Sequence, residues 1–326
     1  MSLDVLCLRP EADFQRVGAL APASLKVVYR ALNDADVLQL MRQARALLIP
    51  AVGPKLPTEL FEGTSIQFVQ VTGAGLDRLD LPFLKQRGIA GANVPGGSNE
   101  AVAEYAVTTA SVLLRRFFWA DMEIRRGNYR DFRARMIADS LSGLHGLTVG
   151  IVGLGIIGVA VAAAFHKRGC AIVYYDPAPR DRRAREALGA KSTSLEELLR
   201  VADLVSLHVP LLPQTTGLIG TGELAVMKPG AVLIQASRGG VVDEAALAQA
   251  LQEGRLSGAA VDVYSTEPPA PNHPLLSLQG EAAQRLLLTP HIAGVTRQST
   301  AFLCRSAWRN VERFFTGSEA PRDVVT

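Results

Sequence analysis

"LTVGIVGLGIIG", residues 147–158, decides how this 326-residue chain is read. Its first half is an apolar run with the look of a buried strand. Its second half places Gly153, Gly155 and Gly158 as G-x-G-x-x-G, where that strand gives way to a helix. Each glycine then serves a different end, since Gly153 permits the tight turn, Gly155 lets the backbone approach a pyrophosphate, and Gly158 lets helix and strand pack closely. The helix N-terminus offers unpaired N–H groups and a partial positive charge to phosphate. A glycine-rich turn alone is a weak signal, because such turns also have purely structural uses. Context strengthens it: the next strand-like run, "AIVYYD", ends in Asp176, eighteen residues after Gly158, where an acid accepts hydrogen bonds from ribose hydroxyls. An acid there repels a 2′-phosphate, so NAD is favoured over NADP. Against this stands "RDRRAR" (180–185), whose arginines can reach a 2′-phosphate, although a solvated helix face explains the run more simply.

Working outward, the same style of sequence continues in both directions. Downstream, "LVSLHV", "AVLIQAS", "SGAAVDV" and "RLLLTP" read as strands between helical patterns such as "SLEELLRVA" and "DEAALAQALQEG". Upstream, "DVLCLR", "KVVYR", "ALLIPA", "IQFVQVTG" and "IAGANV" alternate with "DADVLQLMRQA" and "LPFLKQRG". Such alternation predicts an α/β fold with two doubly wound parallel sheets, and the chain is too long for one ordinary core. A long helix at 97–120 and a polar, Arg-rich stretch at 125–140 separate the two series, and an amphipathic helix at 296–315 finishes the chain.

Composition narrows the function classes. A net charge of +3 is mildly basic and lacks the one-face Lys/Arg density expected of a nucleic-acid binder. Cys7, Cys170 and Cys304 are odd in number, far apart and in or beside apolar segments, which suggests neither a disulfide framework nor a metal site and fits a reducing cytoplasm. "MSLDVLCLRP" has no charged n-region or long apolar h-region, so no signal peptide is expected. The most apolar long stretch, 100–120, is broken by Glu104, Arg115 and Arg116, and reads as a buried helix in place of a membrane span.

Polar residues then mark the predicted strand ends. His208, Val209 and Pro210 follow one strand, and Val209 with Pro210 can form an apolar wall for adenine, or simply an ordinary strand exit. Arg238, Glu267 and His291 follow three others, and parallel strands of a doubly wound sheet end on one side. Together they suit reduction of a 2-oxo acid. A guanidinium forks onto the substrate carboxylate and polarises the neighbouring carbonyl. Histidine delivers a proton to the carbonyl oxygen while a nicotinamide delivers hydride to carbon. A carboxylate on the second ring nitrogen favours the imidazolium. Pro290 fixes its own φ and restricts Thr289, which helps hold the imidazole in place.

Seven stretches in order, "VTGAGLDRLD", "NVPGGSNEAVAEYAV", "GLTVGIVGLGIIG", "SLHVPLLPQTTGLI", "ASRGGVVDEAAL", "AVDVYSTEP" and "LLLTPHIAG", make the chain resemble the D-isomer-specific 2-hydroxyacid dehydrogenases along nearly its whole length. The resemblance implies a flavodoxin-like substrate domain of residues 1–98 plus 292–326, with a Rossmann NAD-binding domain, 99–291, inserted into it and a cleft that closes over the reactants. It implies Arg238 as substrate-carboxylate binder, Glu267 as partner of His291, His291 as acid/base, and Asp262 beside the nicotinamide. Backbone N–H groups of Gly73, Ala74 and Gly75 would also bind the substrate carboxylate. Ile156, Ile157, Thr215, Ala236, Ser237 and Gly294 join the glycine loop, Asp176, Val209, Pro210 and His291 as cofactor contacts. No metal is implied, and a homodimer through the cofactor domain is. Two positions depart from the family pattern: Ile156 stands at a site that is frequently polar, and Gln235 where Asn is usual. Glu267 disfavours the formate dehydrogenases of the family, which carry Gln there. With so short a tail after the last predicted helix, the regulatory domain of longer phosphoglycerate dehydrogenases is not expected. The expected activity is NAD-dependent interconversion of a small D-2-hydroxy acid and its 2-oxo acid, of the 3-phosphoglycerate or glyoxylate/hydroxypyruvate type. The competing reading is a dinucleotide-sensing, corepressor-like scaffold on the same fold, which retains the Arg, Glu and His set as well.

Overall fold

The computed structural model describes residues 3–178 and 180–326. The chain divides into two compact units, Met1–Ser98 with Val295–Thr326, and Asn99–Gly294. In the first unit β1 (Leu3–Cys7), α1 (Glu11–Arg16), β2 (Val27–Tyr29), α2 (Val37–Gln43), β3 (Ala44–Ile49), β4 (Phe68–Val71), α3 (Leu81–Gln86) and β5 (Ala90–Ala92) follow in sequence. The strands form one parallel sheet in the order β2-β1-β3-β4-β5, the flavodoxin-like winding. Both faces are covered, which is why β3 is an almost unbroken apolar run. Leu47 and Ile49 pack with Val37, Met41 and Leu84 on one face, while Leu48 packs with Val5, Phe14 and Phe68 on the other.

The second unit opens with α4 (Asn99–Leu114), α5 (Phe117–Arg125) and α6 (Tyr129–Ala138). It continues through β6 (Thr148–Val152), α7 (Ile156–His166), β7 (Ala171–Tyr175), α8 (Arg182–Ala187), β8 (Lys191–Ser192), α9 (Leu195–Val201), β9 (Leu204–Leu207) and α10 (Thr221–Val226). β10 (Val232–Gln235), α11 (Glu244–Gln252), β11 (Gly258–Val261), α12 (Gly280–Gln284) and β12 (Leu286–Leu288) complete it. Its seven strands run β12-β11-β10-β9-β6-β7-β8, all parallel, and the winding reverses between β6 and β9. Register brings Tyr175, Val152, Leu207, Gln235, Val261 and Leu288 into one row. The residues that follow them, Asp176, Gly153, His208, Ala236, Asp262 and Thr289, therefore emerge side by side at the edge where an open α/β sheet binds ligand. The chain then returns to the first unit as α13 (Arg297–Thr316), whose Cys304, Ala307, Trp308 and Val311 complete the core around Phe14 and Phe68.

Three elements differ from expectation. The helix predicted at 97–120 ends at Leu114 and restarts at Phe117, because Arg116 takes a left-handed backbone (φ 51°) while its guanidinium pairs with Asp139 and lies over the Trp119 ring. The Arg-rich stretch that follows contains α6, held by Phe132 against Trp119 (centroids 5.5 Å apart) with Arg135 over the same ring. The two-residue β8 is too short to carry a periodic signal. α4 is buried along Ala103, Ala106, Val107 and Ala110, and among the described residues no helix is long and apolar enough to cross a membrane.

Candidate active site

The glycine loop leaves β6 through a left-handed turn at Gly153, φ +90°, where a Cβ would stand 2.5 Å from the His208 carbonyl oxygen and 2.8 Å from Val209 Cγ1. At Gly158 a Cβ would meet the Gly153 oxygen at 2.0 Å, so helix and turn are in backbone contact. Gly155 instead faces open space and is the N-cap of α7, whose first turn has no side-chain cap. Two glycines thus close the backbone on itself, and the third leaves an uncapped, positively polarised helix end open to an anion. Ile156 is exposed, whereas Ile157 packs into the core with α4.

Asp176 follows β7 with its carboxylate nearly enclosed. One oxygen accepts the Leu154 N–H (2.8 Å); the other accepts the Ala178 N–H (3.0 Å) and Arg180 Nη2 (2.7 Å). Burial works against the charged form, but Arg180 and the two N–H groups outweigh it and hold the carboxyl below its ordinary range. Arg180 is therefore not part of a solvated helix face; it precedes α8 and covers the acid. Arg182, paired along α8 with Glu186 at 2.7 Å, does fit that description.

After β9, Val209 lies over the Gly153 turn and Pro210 is exposed. Thr215 Oγ1 is committed to its own loop, donating to Pro210 O (2.6 Å) and accepting from Leu212 N (2.8 Å). After β10 the loop is organised by Gln235, which is buried. Its Oε1 accepts from Ser237 Oγ (2.7 Å), and its Nε2 donates to Arg238 O (2.8 Å). Ala236 packs on the core, Ser237 is buried, and Arg238 Nη1 donates to Ser237 O at 2.7 Å. At Gly239 a Cβ would stand 1.8 Å from Tyr264 O, so the Arg238 loop lies directly against the segment that carries Glu267.

The exits of β11 and β12 are tied by Asp262. Its carboxylate accepts from Thr289 Oγ1 (2.6 Å), Ile292 N (2.8 Å) and Ala293 N (2.8 Å), and its carbonyl accepts from His291 N (2.8 Å). Burial raises the Asp262 carboxyl, against the pull of these donors and of His291. Tyr105 of α4 reaches Thr289 Oγ1 at 2.8 Å, and Tyr264 donates its hydroxyl to Thr289 O at 3.0 Å. Burial, then the charges of Asp262, Glu267 and Glu244, push the Tyr264 phenol up to about 12, so it remains a donor. Held by this network, His291 takes a left-handed backbone, φ 56°, uncommon for a residue with a Cβ. Its Nδ1 lies 2.8 Å from Glu267 Oε2, while Glu267 Oε1 accepts the Tyr264 N–H at 3.1 Å. A carboxylate is acceptor-only, so Nδ1 carries the hydrogen and Nε2 is the ring position left for chemistry. Gly294 closes this unit.

Competing histidines differ in kind. Burial pushes His208 down to about 3, leaving it neutral beside Ser206 Oγ (2.8 Å). His273 has both ring nitrogens engaged, by Glu244 and by the Leu275 N–H. His145, which precedes β6, and His166, at the end of α7, lie at the other edge of the sheet.

In the first unit, the loop after β4 turns its carbonyls inward: Gly73 O accepts Val94 N (2.9 Å) and Ala74 O accepts Asn93 Nδ2 (2.7 Å). Among the described residues the N–H groups of Gly73, Ala74 and Gly75 have no acceptor. Cations around that loop are committed: buried Arg78 to the carbonyls of Pro54 (2.9 Å) and Pro50 (3.0 Å), Arg9 to Asp13 and Thr72, Lys55 to Asp80. Among the described residues no group of three or more His, Cys, Asp or Glu is placed to hold a metal.

The family model for the D-isomer specific 2-hydroxyacid dehydrogenase NAD binding domain matches residues 107–293, the span that carries the glycine loop and the Glu267–His291 pair. The chain belongs to the D-isomer-specific 2-hydroxyacid dehydrogenases. Members are oxidoreductases that act on a CH–OH group with a nicotinamide dinucleotide, and this chain is one of them. It is 34% identical to a glyoxylate reductase of Korarchaeum cryptofilum over 306 residues, covering 94% of this chain and 87% of that protein. It is 35% identical over 246 residues to a D-3-phosphoglycerate dehydrogenase of Archaeoglobus fulgidus, where the match spans 75% of this chain but only 45% of that protein. The holo crystal structure of Rhodotorula graminis D-mandelate dehydrogenase superposes with a TM-score of 0.84 at 28% identity, covering 100% of this chain and 98% of that one. Beyond the residues that sequence motifs single out, this dehydrogenase has Thr289, Tyr105, Tyr264 and Arg180 bonded to residues of the candidate site. Arg180, four residues from Asp176, and Tyr264, three from Glu267, are the partners close enough in sequence to offer a local clue.

Proposed function

We propose that this dehydrogenase reduces a small unphosphorylated 2-oxo acid, of the glyoxylate or hydroxypyruvate type, with NADH. The observation that supports the substrate class is the commitment of Arg9, Lys55 and Arg78 to partners within the first unit, while the Gly73–Gly75 N–H groups remain available as donors: a carboxylate finds its donors there, and these three cations are already engaged. In this reading Gly73, Ala74, Gly75 and Arg238 bind the substrate carboxylate. Arg238 also polarises the adjacent carbonyl. Glu267 fixes the His291 tautomer, and His291 Nε2 holds the proton that goes to the carbonyl oxygen. The glycine loop, Asp176, Val209, Pro210 and Asp262 hold the dinucleotide, which when bound supplies the hydride. Asp176, kept ionised, favours a 2′-hydroxyl over a 2′-phosphate. A panel of glyoxylate, hydroxypyruvate and phosphohydroxypyruvate with NADH and NADPH, followed by nicotinamide absorbance, tests this. The expected order is higher kcat/KM for the unphosphorylated acids and for NADH; preference for the phosphorylated acid or for NADPH overturns the corresponding half.

We also propose a homodimer formed through the second unit. Phe117, Phe118, Ile124, Tyr129 and Ile137 of α5 and α6 are each at least 50% exposed, an apolar concentration that a lone subunit would present to water. Sedimentation is expected to give a dimer that Phe118→Glu with Ile124→Glu converts to monomer; a monomeric parent protein would sink the idea. Cys7, Cys170 and Cys304, all buried free thiols, suit the reducing cytoplasm proposed as its location.

A further inference from the structure

The second unit holds a histidine–carboxylate pair besides Glu267–His291. It joins Glu244, the first residue of α11, to His273, with Nε2 2.9 Å from Oε2. This pair is the better shielded, with side-chain exposures of 8% for His273 and 13% for Glu244 against 26% for His291 and 28% for Glu267. Its tautomer is fixed, because His273 Nδ1 accepts the Leu275 N–H (3.3 Å) and the ring hydrogen therefore lies on Nε2, donated to Glu244. The ring therefore serves Glu244 as a hydrogen-bond donor.

Glu244 carries two further bonds. Oε1 accepts the Ser265 N–H at 2.7 Å and Oε2 accepts Ser265 Oγ at 2.6 Å. One carboxylate, six residues after Arg238, thus grips the backbone two residues before Glu267. Gly239 presses the same two loops together, and Glu267 itself is tied to the Tyr264 N–H within the gripped turn. Three donors thus converge on one carboxylate, which can accept from all of them, and its place at the α11 N-terminus favours negative charge.

We infer that Glu244 is a positioning residue for the proton-donor pair: through Ser265 it fixes the Tyr264–Glu267 turn relative to the Arg238 loop, and His273 locks Glu244 in the orientation this requires. The inference rests on the Glu267–His291 reading above. The test uses Glu244→Ala and Glu244→Gln in the full chain. Three quantities are read: kcat and KM for glyoxylate at saturating NADH, NADH affinity by fluorescence, and the downfield proton resonance of the His291 Nδ1–H, assigned by its loss in His291→Gln. Glu244→Ala is expected to lower kcat about 10- to 100-fold, as a small misplacement of a catalytic group does, with NADH affinity within about threefold and the resonance broadened or lost. Glu244→Gln still offers one acceptor to the Ser265 N–H but turns its NH2 toward the His273 Nε2–H, so it should recover the turnover and the resonance only in part. Unchanged kcat with an intact resonance in Glu244→Ala overturns the inference, as does a parallel collapse of NADH binding. Should Glu244→Ala not fold, Ser265→Ala removes one of the three bonds; a kcat and resonance identical to the parent's then overturn it. Full activity in His291→Gln would instead bring down the underlying reading, so the two failures are distinct.

Discussion

His291→Gln is expected to lower turnover by about 10²- to 10⁴-fold, the usual contribution of a positioned general acid, while NADH binding survives. Glutamine keeps a polar side chain of similar reach but cannot carry and release a proton near neutrality. The proposed role follows from position: His291 Nδ1 is held by Glu267 at 2.8 Å, whereas at the same sheet edge His208 is neutral through burial and His273 has both ring nitrogens engaged. Because His291 sits at φ 56°, His291→Asn is the companion variant, since asparagine tolerates the left-handed region. Steady-state kinetics with a fluorescence titration of NADH provide the measurement, and turnover retained in both variants would refute the assignment.

Arg238→Ala is expected to cost about two orders of magnitude or more in kcat/KM for the 2-oxo acid, equivalent to two charge-assisted hydrogen bonds of about 1.5–3 kcal/mol each. Arg238→Lys should fall between the parent and the alanine variant, because an ammonium restores charge without the planar fork. NADH affinity should barely change in either. A glyoxylate KM and kcat unaltered in Arg238→Ala would show that the carboxylate is bound elsewhere.

The fold is legible in the sequence where local physics dominates. Each strand but β8 announces itself as a short apolar run, and the glycine turn after β6 marks where the second sheet reverses. The helix break at Arg116 is not legible, because it depends on the Arg116 guanidinium finding Asp139 and the Trp119 ring. At the candidate site, strand order and register explain why Arg238, Glu267 and His291 leave one sheet edge, which sequence motifs suggest. The bonds that aim them are between distant positions, Tyr105 with Thr289, Thr289 with Asp262, Glu244 with Ser265, and no local spacing encodes them. Arg180 reads in sequence as part of a helix face because charge runs usually are; only the geometry shows it on Asp176.

The left-handed turn at His291 also bears on how this protein can vary over generations. Such a backbone costs a residue with a Cβ about 1–2 kcal/mol, which the Asp262 network offsets here. The backbone therefore screens replacements before chemistry does: glycine, asparagine and aspartate fit the turn, while valine, isoleucine and threonine strain it. A descendant that abandoned catalysis but kept its architecture would leave position 291 by that short list, so glycine or asparagine there in a related chain would be the trace of a scaffold that outlived its reaction.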